Sequence, residues 1–270
     1  MSTSTLPTSE PPAFLTDVLG PARPGPRLNS DEITRPYVTL TFAQSLDGKI
    51  AGKAGKQLIL SGRESMIMTH WMRTMHDAIL IGIGTALNDN PQLNTRHLPP
   101  RSSNEERYHL PRPVILDTHL RLHPECKLLI NYKSGTGRRP WVICSSSASP
   151  LNRATLEKAG ARIIEVTERD GKLLIPELLR KLRSLDIRSV MVEGGSEVIG
   201  SFLAEAPIDR EDGVLSSIVD TFIVTVAPIF VGDDGVGYGT GLSGDQIPKL
   251  QHIRTEVIGK DTVVAAKPSL

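Results

Sequence analysis

Ser189-Val190-Met191-Val192-Glu193-Gly194-Gly195-Ser196-Glu197-Val198-Ile199-Gly200-Ser201-Phe202-Leu203 decides the architecture of this chain. An apolar run ends in a glycine pair, and the period of the sequence then changes. Val198, Ile199, Phe202 and Leu203 recur at the spacing of one helix face. The run before them fits a strand buried on both sides, as in a parallel sheet covered by helices. Two glycines at the junction let a phosphate approach the backbone, and the following helix start offers unpaired N–H groups and a positive dipole end. Ser196 suits the cap of that helix, or a donor to a phosphate oxygen. The same residues also fit a tight strand-to-helix turn without a ligand.

Outward from this stretch the pattern repeats. Ala78-Ile79-Leu80-Ile81 is a second apolar run, ending in Gly82-Ile83-Gly84-Thr85, with a turn expected at Asp89-Asn90-Pro91. Pro113–Asp117, Trp141–Cys144 and Arg162–Val166 read as strands, and Leu151–Ala159 and Pro176–Leu182 as helices. Upstream, Val38–Ala43 alternates apolar and hydroxyl residues, as a strand does. Met68, Met72 and Met75 then fall at helical spacing within Arg63–Met75, with Trp71 beside them. Leu98–Arg112 is polar and proline-punctuated, so a long loop is expected. Near the end, Thr221–Ala227 reads as a strand, and Ile253–Val257 with Thr262–Ala265 as a hairpin about Gly259-Lys260. Strands alternating with helices imply an α/β fold with a mostly parallel sheet and an antiparallel end. Thr221–Ile229 fits a subunit interface or the core equally well.

Composition narrows the function. Among 270 residues, 39% are hydrophobic, enough for a sizeable core, and 31 Lys+Arg against 30 Asp+Glu leave a net charge of +1. So balanced a chain argues against a dedicated nucleic-acid binder. The two cysteines, Cys126 and Cys144, cannot build a disulfide scaffold or a four-cysteine zinc site. No run approaches the roughly 18 apolar residues of a membrane helix, and no secretory signal is evident, so a cytoplasmic protein is expected. Residues 1–35 are rich in proline, serine and threonine and read as a mostly flexible extension, in which Phe14, Leu15, Val18 and Leu19 allow a short docking turn. Residues 36–270 then form one domain.

Ser45-Leu46-Asp47-Gly48-Lys49 leaves the first strand and enters a segment holding Lys49, Lys53 and Lys56, which suits an anionic substrate or a solvated loop. Other patterns fail on context. Gly239-Thr240-Gly241-Leu242-Ser243-Gly244 has the dinucleotide spacing but no strand before it, and Pro248 stands where a helix should run. There is no Walker A sequence and no nucleophile elbow. His123-Pro124-Glu125 lacks the Pro-Cys-x-x-Cys partner of a zinc deaminase. No metal site is expected.

Three segments occur together and in order: Ser45-Leu46-Asp47-Gly48-Lys49-Ile50-Ala51; Gly82-Ile83-Gly84-Thr85 with Asp89-Asn90-Pro91-Gln92-Leu93-Asn94-Thr95-Arg96; and Val192-Glu193-Gly194-Gly195. A fourth, Ala227-Pro228-Ile229-Phe230-Val231-Gly232, follows. From about Arg35 to the C-terminus this combination resembles the riboflavin-biosynthesis reductases, and most of all their free-standing fungal branch, which lacks the deaminase fused to bacterial relatives. The resemblance implies a dihydrofolate-reductase-like fold, a single domain with a mixed, mostly parallel sheet flanked by helices. It also implies NADPH as cofactor and a homodimer. The implied reaction is reduction of 2,5-diamino-6-ribosylamino-4(3H)-pyrimidinone 5′-phosphate to the ribitylamino compound.

By the same resemblance, Ala43, Gly84, Thr85 and Asp89 contact the cofactor, and Gly194, Gly195, Ser196 and Glu197 line its diphosphate. Lys49, Arg73, Leu93, Arg96 and Glu193 face the substrate, with Lys49 and Glu193 as catalytic residues. Where some relatives carry a tryptophan near the nicotinamide, this chain has Leu58-Ile59-Leu60. The expected chemistry opens the ribosylamine to an imine and delivers a hydride to C1′, with Arg96 suited to bidentate phosphate binding. Two rivals share the fold: a pterin or folate reductase, and a non-catalytic NADPH-binding sensor.

Overall fold

The computed structural model describes residues 9–20, 34–102, 104, 106–205, 208–209, 215–238 and 249–269. Nine strands form one sheet: β1 (Tyr37–Ser45), β2 (Ala78–Gly82), β3 (Arg112–Leu116), β4 (Trp141–Cys144), β5 (Arg162–Glu165), β6 (Ser189–Glu193), β7 (Thr221–Ala227), β8 (Leu250–Ile258) and β9 (Asp261–Pro268). Their spatial order is β8-β9-β7-β1-β6-β2-β3-β4-β5. The ladders from β7 to β5 are all parallel, and β9 runs against both β7 and β8. The mixed sheet with an antiparallel end is therefore as expected. The helices are α1 (Ala13–Leu19), α2 (Arg63–Thr74), α3 (Ile83–Asp89), α4 (Lys127–Lys133), α5 (Pro150–Ala159), α6 (Ile175–Ser184) and α7 (Ser196–Ala204).

The period of two along each strand sorts the core into layers. Leu40, Leu80, Val114, Ile143 and Val192 face α6 and α7, meeting Leu178, Leu182, Ile199 and Phe202. On the other side, Ile79, Ile81, Ile115 and Val142 pack with Leu128 and Leu129 of α4 and Leu156 of α5. Met191, Ile223, Val263 and Ala265 pack with Met68, Trp71 and Met72 of α2. The methionine stripe is thus core.

Chain order places the cleft. After β1 the chain lays β2 to β5 outward, then returns to insert β6 between β1 and β2. Such a reversal opens a crevice at the carboxyl ends of the strands, where ligands of open α/β sheets bind. Thr41 of β1 lies level with Glu193 of β6, and Val192 is flanked by Leu40 and Leu80.

Several elements differ from the reading of the sequence. The segment between Gly82 and the turn at Asn90 is a helix, α3, with Gly82 at its cap and Asn90 ending it in a left-handed conformation (φ 42°). Helix α4 spans only seven residues, too few for a helical period to stand out in the sequence. β7 lies between β1 and β9, with Phe222 and Ile223 buried in the core and Val224 and Val226 partly exposed. The amino-terminal extension is not wholly loose: Phe14 and Leu15 of α1 are buried against Met68, Trp71 and Met72, and Arg254 pairs with Asp17. The dinucleotide-like stretch Gly239–Gly244 lies outside the described residues.

Candidate active site

A cleft of about 700 Å³ lies over the carboxyl ends of β1, β6 and β2. Helix α2 walls one side. Its apolar face is buried against the sheet, and this turns Thr69, His70 and Arg73 toward the cleft. The start of α2 is fixed from the far end of the chain, where the carboxylate of Asp261 accepts from the Gly62 amide at 2.6 Å.

Arg73 organises one end. Its Nε donates to Glu193 Oε1 at 2.9 Å and its Nη2 to Oε2 at 2.8 Å, a bidentate fork. Its Nη1 donates to the backbone carbonyl of Asn94 at 3.0 Å. The side chains of Arg73 and Glu193 are only 12% and 22% exposed, so the pair is largely shielded from solvent screening. The segment after α3 turns through left-handed residues Asn90 and Leu93, and Arg96 donates to Asn94 Oδ1 at 3.2 Å. Burial and the nearby Arg73 lower the pKa of Arg96. Burial and these two guanidinium groups hold His70 down to about 3.

The other end is built from the two glycine-rich turns. A Cβ on Gly195 would lie 3.1 Å from Thr85 Oγ1, and one on Gly194 would lie 3.1 Å from the Ile199 amide nitrogen. Glycine at these two positions gives β6, α3 and the first turn of α7 room to approach, most tightly at Gly194, where the neighbour is backbone. Gly195 rather than Ser196 is the cap residue, and no side chain caps the helix. The first N–H groups of α7 thus carry no side-chain acceptor, which fits a diphosphate. Asp89 stands on the same wall, and burial raises its carboxyl pKa. The donors and the small residues fit a nicotinamide dinucleotide. Among the described residues no His, Cys, Asp or Glu cluster could hold a metal ion.

Of the residues expected from the sequence, Ala43, Gly84, Thr85, Asp89, Arg73, Arg96, Glu193, Gly194, Gly195, Ser196 and Glu197 all line this cleft. Leu93 does not: its side chain is buried in the core beneath α3. Lys49 also stands off the wall, in a short ladder against Val236–Gly237, and Lys53 pairs with Asp234 at 3.1 Å. The Ser45–Lys49 motif has a different local purpose. Asp47 accepts from the Gly232 amide at 2.8 Å, the Val231 amide at 3.1 Å and the Ser45 hydroxyl at 2.5 Å, tying the first and fourth sequence segments together. Thr41, His70, Arg121 and Thr225 also line the cleft and were not singled out from sequence, since none sits in a glycine-marked turn. Leu58, Ile59 and Leu60 form an apolar rim, with Ile59 93% exposed.

A parallel sheet with its cleft at the strand reversal, a glycine cradle at a helix start and an Arg–Glu fork opposite define a dihydrofolate-reductase-like oxidoreductase. Residues 36–264 match the family model described as the RibD C-terminal domain, and the chain belongs to that family. It is 36% identical over 210 residues to the 2,5-diamino-6-ribosylamino-4(3H)-pyrimidinone 5′-phosphate reductase of Debaryomyces hansenii, covering 75% of this chain and 78% of that one. It is 35% identical over 243 residues to the protein of the same name from Eremothecium gossypii, covering 88% and 90%. Among solved structures it resembles the riboflavin biosynthesis reductase Rib7 of Saccharomyces cerevisiae (TM-score 0.67, 29% identity, 89% of this chain and 93% of that one). It shares its fold with Acinetobacter baumannii RibD (TM-score 0.68, 24% identity), covering 88% of this chain and 59% of that longer one.

Proposed function

We propose that this enzyme reduces 2,5-diamino-6-ribosylamino-4(3H)-pyrimidinone 5′-phosphate to the ribitylamino compound, using NADPH. The observation that carries this reading is the pairing, in one cleft, of the Gly194-Gly195 cradle against Thr85 with the Arg73–Glu193 fork and Arg96. The cradle suits a dinucleotide diphosphate, and the cationic end suits a small phosphorylated partner. A bound nicotinamide cofactor supplies the hydride.

The chain's own residues position and polarise. Gly194, Gly195 and the first amides of α7 hold the diphosphate, with Thr85 and Asp89 beside it. Arg96 takes the substrate phosphate. Glu193, both oxygens already accepting from Arg73, presents its remaining lone pairs to hydroxyl or amino groups of the sugar and orients C1′. Lys49, off the cleft wall, has no part in this scheme. The enzyme is read as a cytoplasmic homodimer that binds neither nucleic acid nor membrane. No described helix is long and apolar enough to cross a membrane, and edge strand β8 exposes Leu250 and Val257 as a pairing face.

The test is loss of NADPH absorbance with enzymatically prepared ribosylaminopyrimidine phosphate, with its deaminated analogue and dihydrofolate in parallel. Turnover on the diamino compound alone is the expected result. Oxidation driven by dihydrofolate would favour a folate-type reductase, and cofactor binding without turnover a sensor.

A further inference from the structure

His70 is 3% exposed yet lines the cleft, and it sits three residues before Arg73, on the same helical face. Both residues converge on Asn94: Arg73 Nη1 donates to its carbonyl at 3.0 Å, and the same backbone group faces the His70 ring. Beyond Asn94 the chain carries Arg96, and His97 closes over the histidine edge to face, with ring centroids 4.6 Å apart. The imidazole is therefore wedged between α2 and the loop that carries the phosphate-facing arginine. Its Nδ1 has no hydrogen-bond partner, although buried polar atoms are ordinarily satisfied. A residue serving only to stabilise the core would be better replaced there by an apolar one. Burial and the neighbouring Arg73, His97 and Arg96 keep the ring neutral, so it adds no repulsive charge beside the two guanidinium groups.

Resting on the reductase reading above, we propose that His70 is a substrate-positioning residue: wedged against Asn94 and His97, it sets the loop that aims Arg96 at the substrate phosphate. It acts through Asn94 and Arg96 and takes no part in hydride or proton transfer. The consequence is selective. Binding of the 5′-phosphate depends on His70, whereas the cofactor cradle, built from β6, α3 and α7, does not.

The experiment measures steady-state kinetics of His70→Ala and His70→Gln with the 5′-phosphorylated substrate and its dephosphorylated counterpart, together with NADPH affinity. For His70→Ala, KM for the phosphorylated substrate should rise about tenfold, the size of one misaligned charge-assisted contact, with kcat within about twofold. KM for the dephosphorylated compound and the Kd for NADPH should not move. His70→Gln keeps an N–H donor for Asn94 and should recover part of the loss. In an Arg96→Ala background, His70→Ala should add nothing further, because both act on one contact. Unchanged KM in His70→Ala, or an equal loss on both substrates, would overturn the proposal. Wild-type turnover separates the two levels: if the wild type reduces neither compound the functional reading falls and takes this proposal with it, whereas an active wild type with an indifferent His70→Ala removes the proposal alone.

Discussion

Arg73 and Glu193, 120 residues apart in sequence, meet through two parallel hydrogen bonds of 2.9 and 2.8 Å at the substrate end of the cleft. A carboxylate held in this way has one orientation, and both partners are largely withdrawn from water. The fork therefore couples helix α2 to the end of β6, and through the Asn94 carbonyl to the loop bearing Arg96.

Replacing Glu193 by Gln removes the charge, leaves the Arg73 guanidinium without its counter-ion and turns one acceptor into a donor. Turnover should fall on the order of a hundredfold, because orientation of the reacting carbon is lost, whereas NADPH affinity should stay within about twofold, since the diphosphate cradle is untouched. Arg73→Lys should also be damaging, because an ammonium cannot make the fork. Stopped-flow reduction alongside a cofactor-fluorescence titration separates the effects. Equal turnover in Glu193→Gln would take Glu193 out of the mechanism.

The glycine cradle makes the opposite prediction. In Gly195→Ala the new methyl would press on Thr85 Oγ1 at 3.1 Å, a side chain able to rotate away. In Gly194→Ala it would meet the Ile199 backbone nitrogen at 3.1 Å and the Val198 Cβ at 3.1 Å, which cannot. Gly195→Ala should weaken NADPH about tenfold with the fold intact, and Gly194→Ala should in addition lower the melting temperature. Titration of cofactor fluorescence and a thermal scan of both variants check this ordering. Tight NADPH binding by both would remove the cradle from the cofactor site.

These contrasts also mark what one-dimensional reading reaches. The strand Ser189–Glu193, the glycine pair and the helix after it are local events, written in period and in residues with special backbone freedom, and they appear where the sequence places them. Thr221–Ala227 and the turn at Gly259, with φ of 63°, are legible for the same reason. The fork of Arg73 and Glu193 is not, because nothing local in either segment specifies a partner across four intervening strands of the sheet. Resemblance points to Lys49 and Leu93 as substrate residues, yet Lys49 is not among the residues lining the cleft, and Leu93, itself left-handed, is buried in the core. Asp47 shows the converse: a motif that reads as an anion-binding loop is a bracket between two loops, visible only once Val231 and Gly232 are brought beside it.

Helix α1 offers a test of whether the amino-terminal segment belongs to the domain. Phe14 is fully buried against α2, whose other face carries His70 and Arg73. Phe14→Ala should cost about 3 kcal/mol of stability through the cavity it leaves. Urea unfolding of the full-length variant measures it. A change under about 0.5 kcal/mol, the range of ordinary surface substitutions, would mean that the helix is not docked in solution.

Acid stability should report on His76, which is fully buried between Thr39 Oγ1 and the Met72 carbonyl, each 2.8 Å from a ring nitrogen. The carbonyl can only accept, so Nδ1 carries the proton and Nε2 accepts from the threonine hydroxyl. Burial lowers the pKa of this histidine to about 4 from its ordinary 6.5. Protonation therefore favours the unfolded chain. The neutral histidine contributes full stability above pH 6.5, and that stability is lost as pH falls toward 4, by about 1.4 kcal/mol per pH unit. His70, held down to about 3, adds to the slope over the same range and extends it lower. Asp47 works in a separate window. Its carboxyl is lowered to about 2 by the Ser45 hydroxyl and the Gly232 and Val231 amides, so its contribution is present above 3.8 and disappears only as pH falls through about 2. Urea midpoints measured from pH 7 to pH 4 should thus decline in the wild type and decline less steeply in His76→Gln, whereas Asp47→Asn should be weakened by a constant amount over that range above pH 5. Parallel profiles for wild type and His76→Gln would show that the buried imidazole does not govern acid sensitivity.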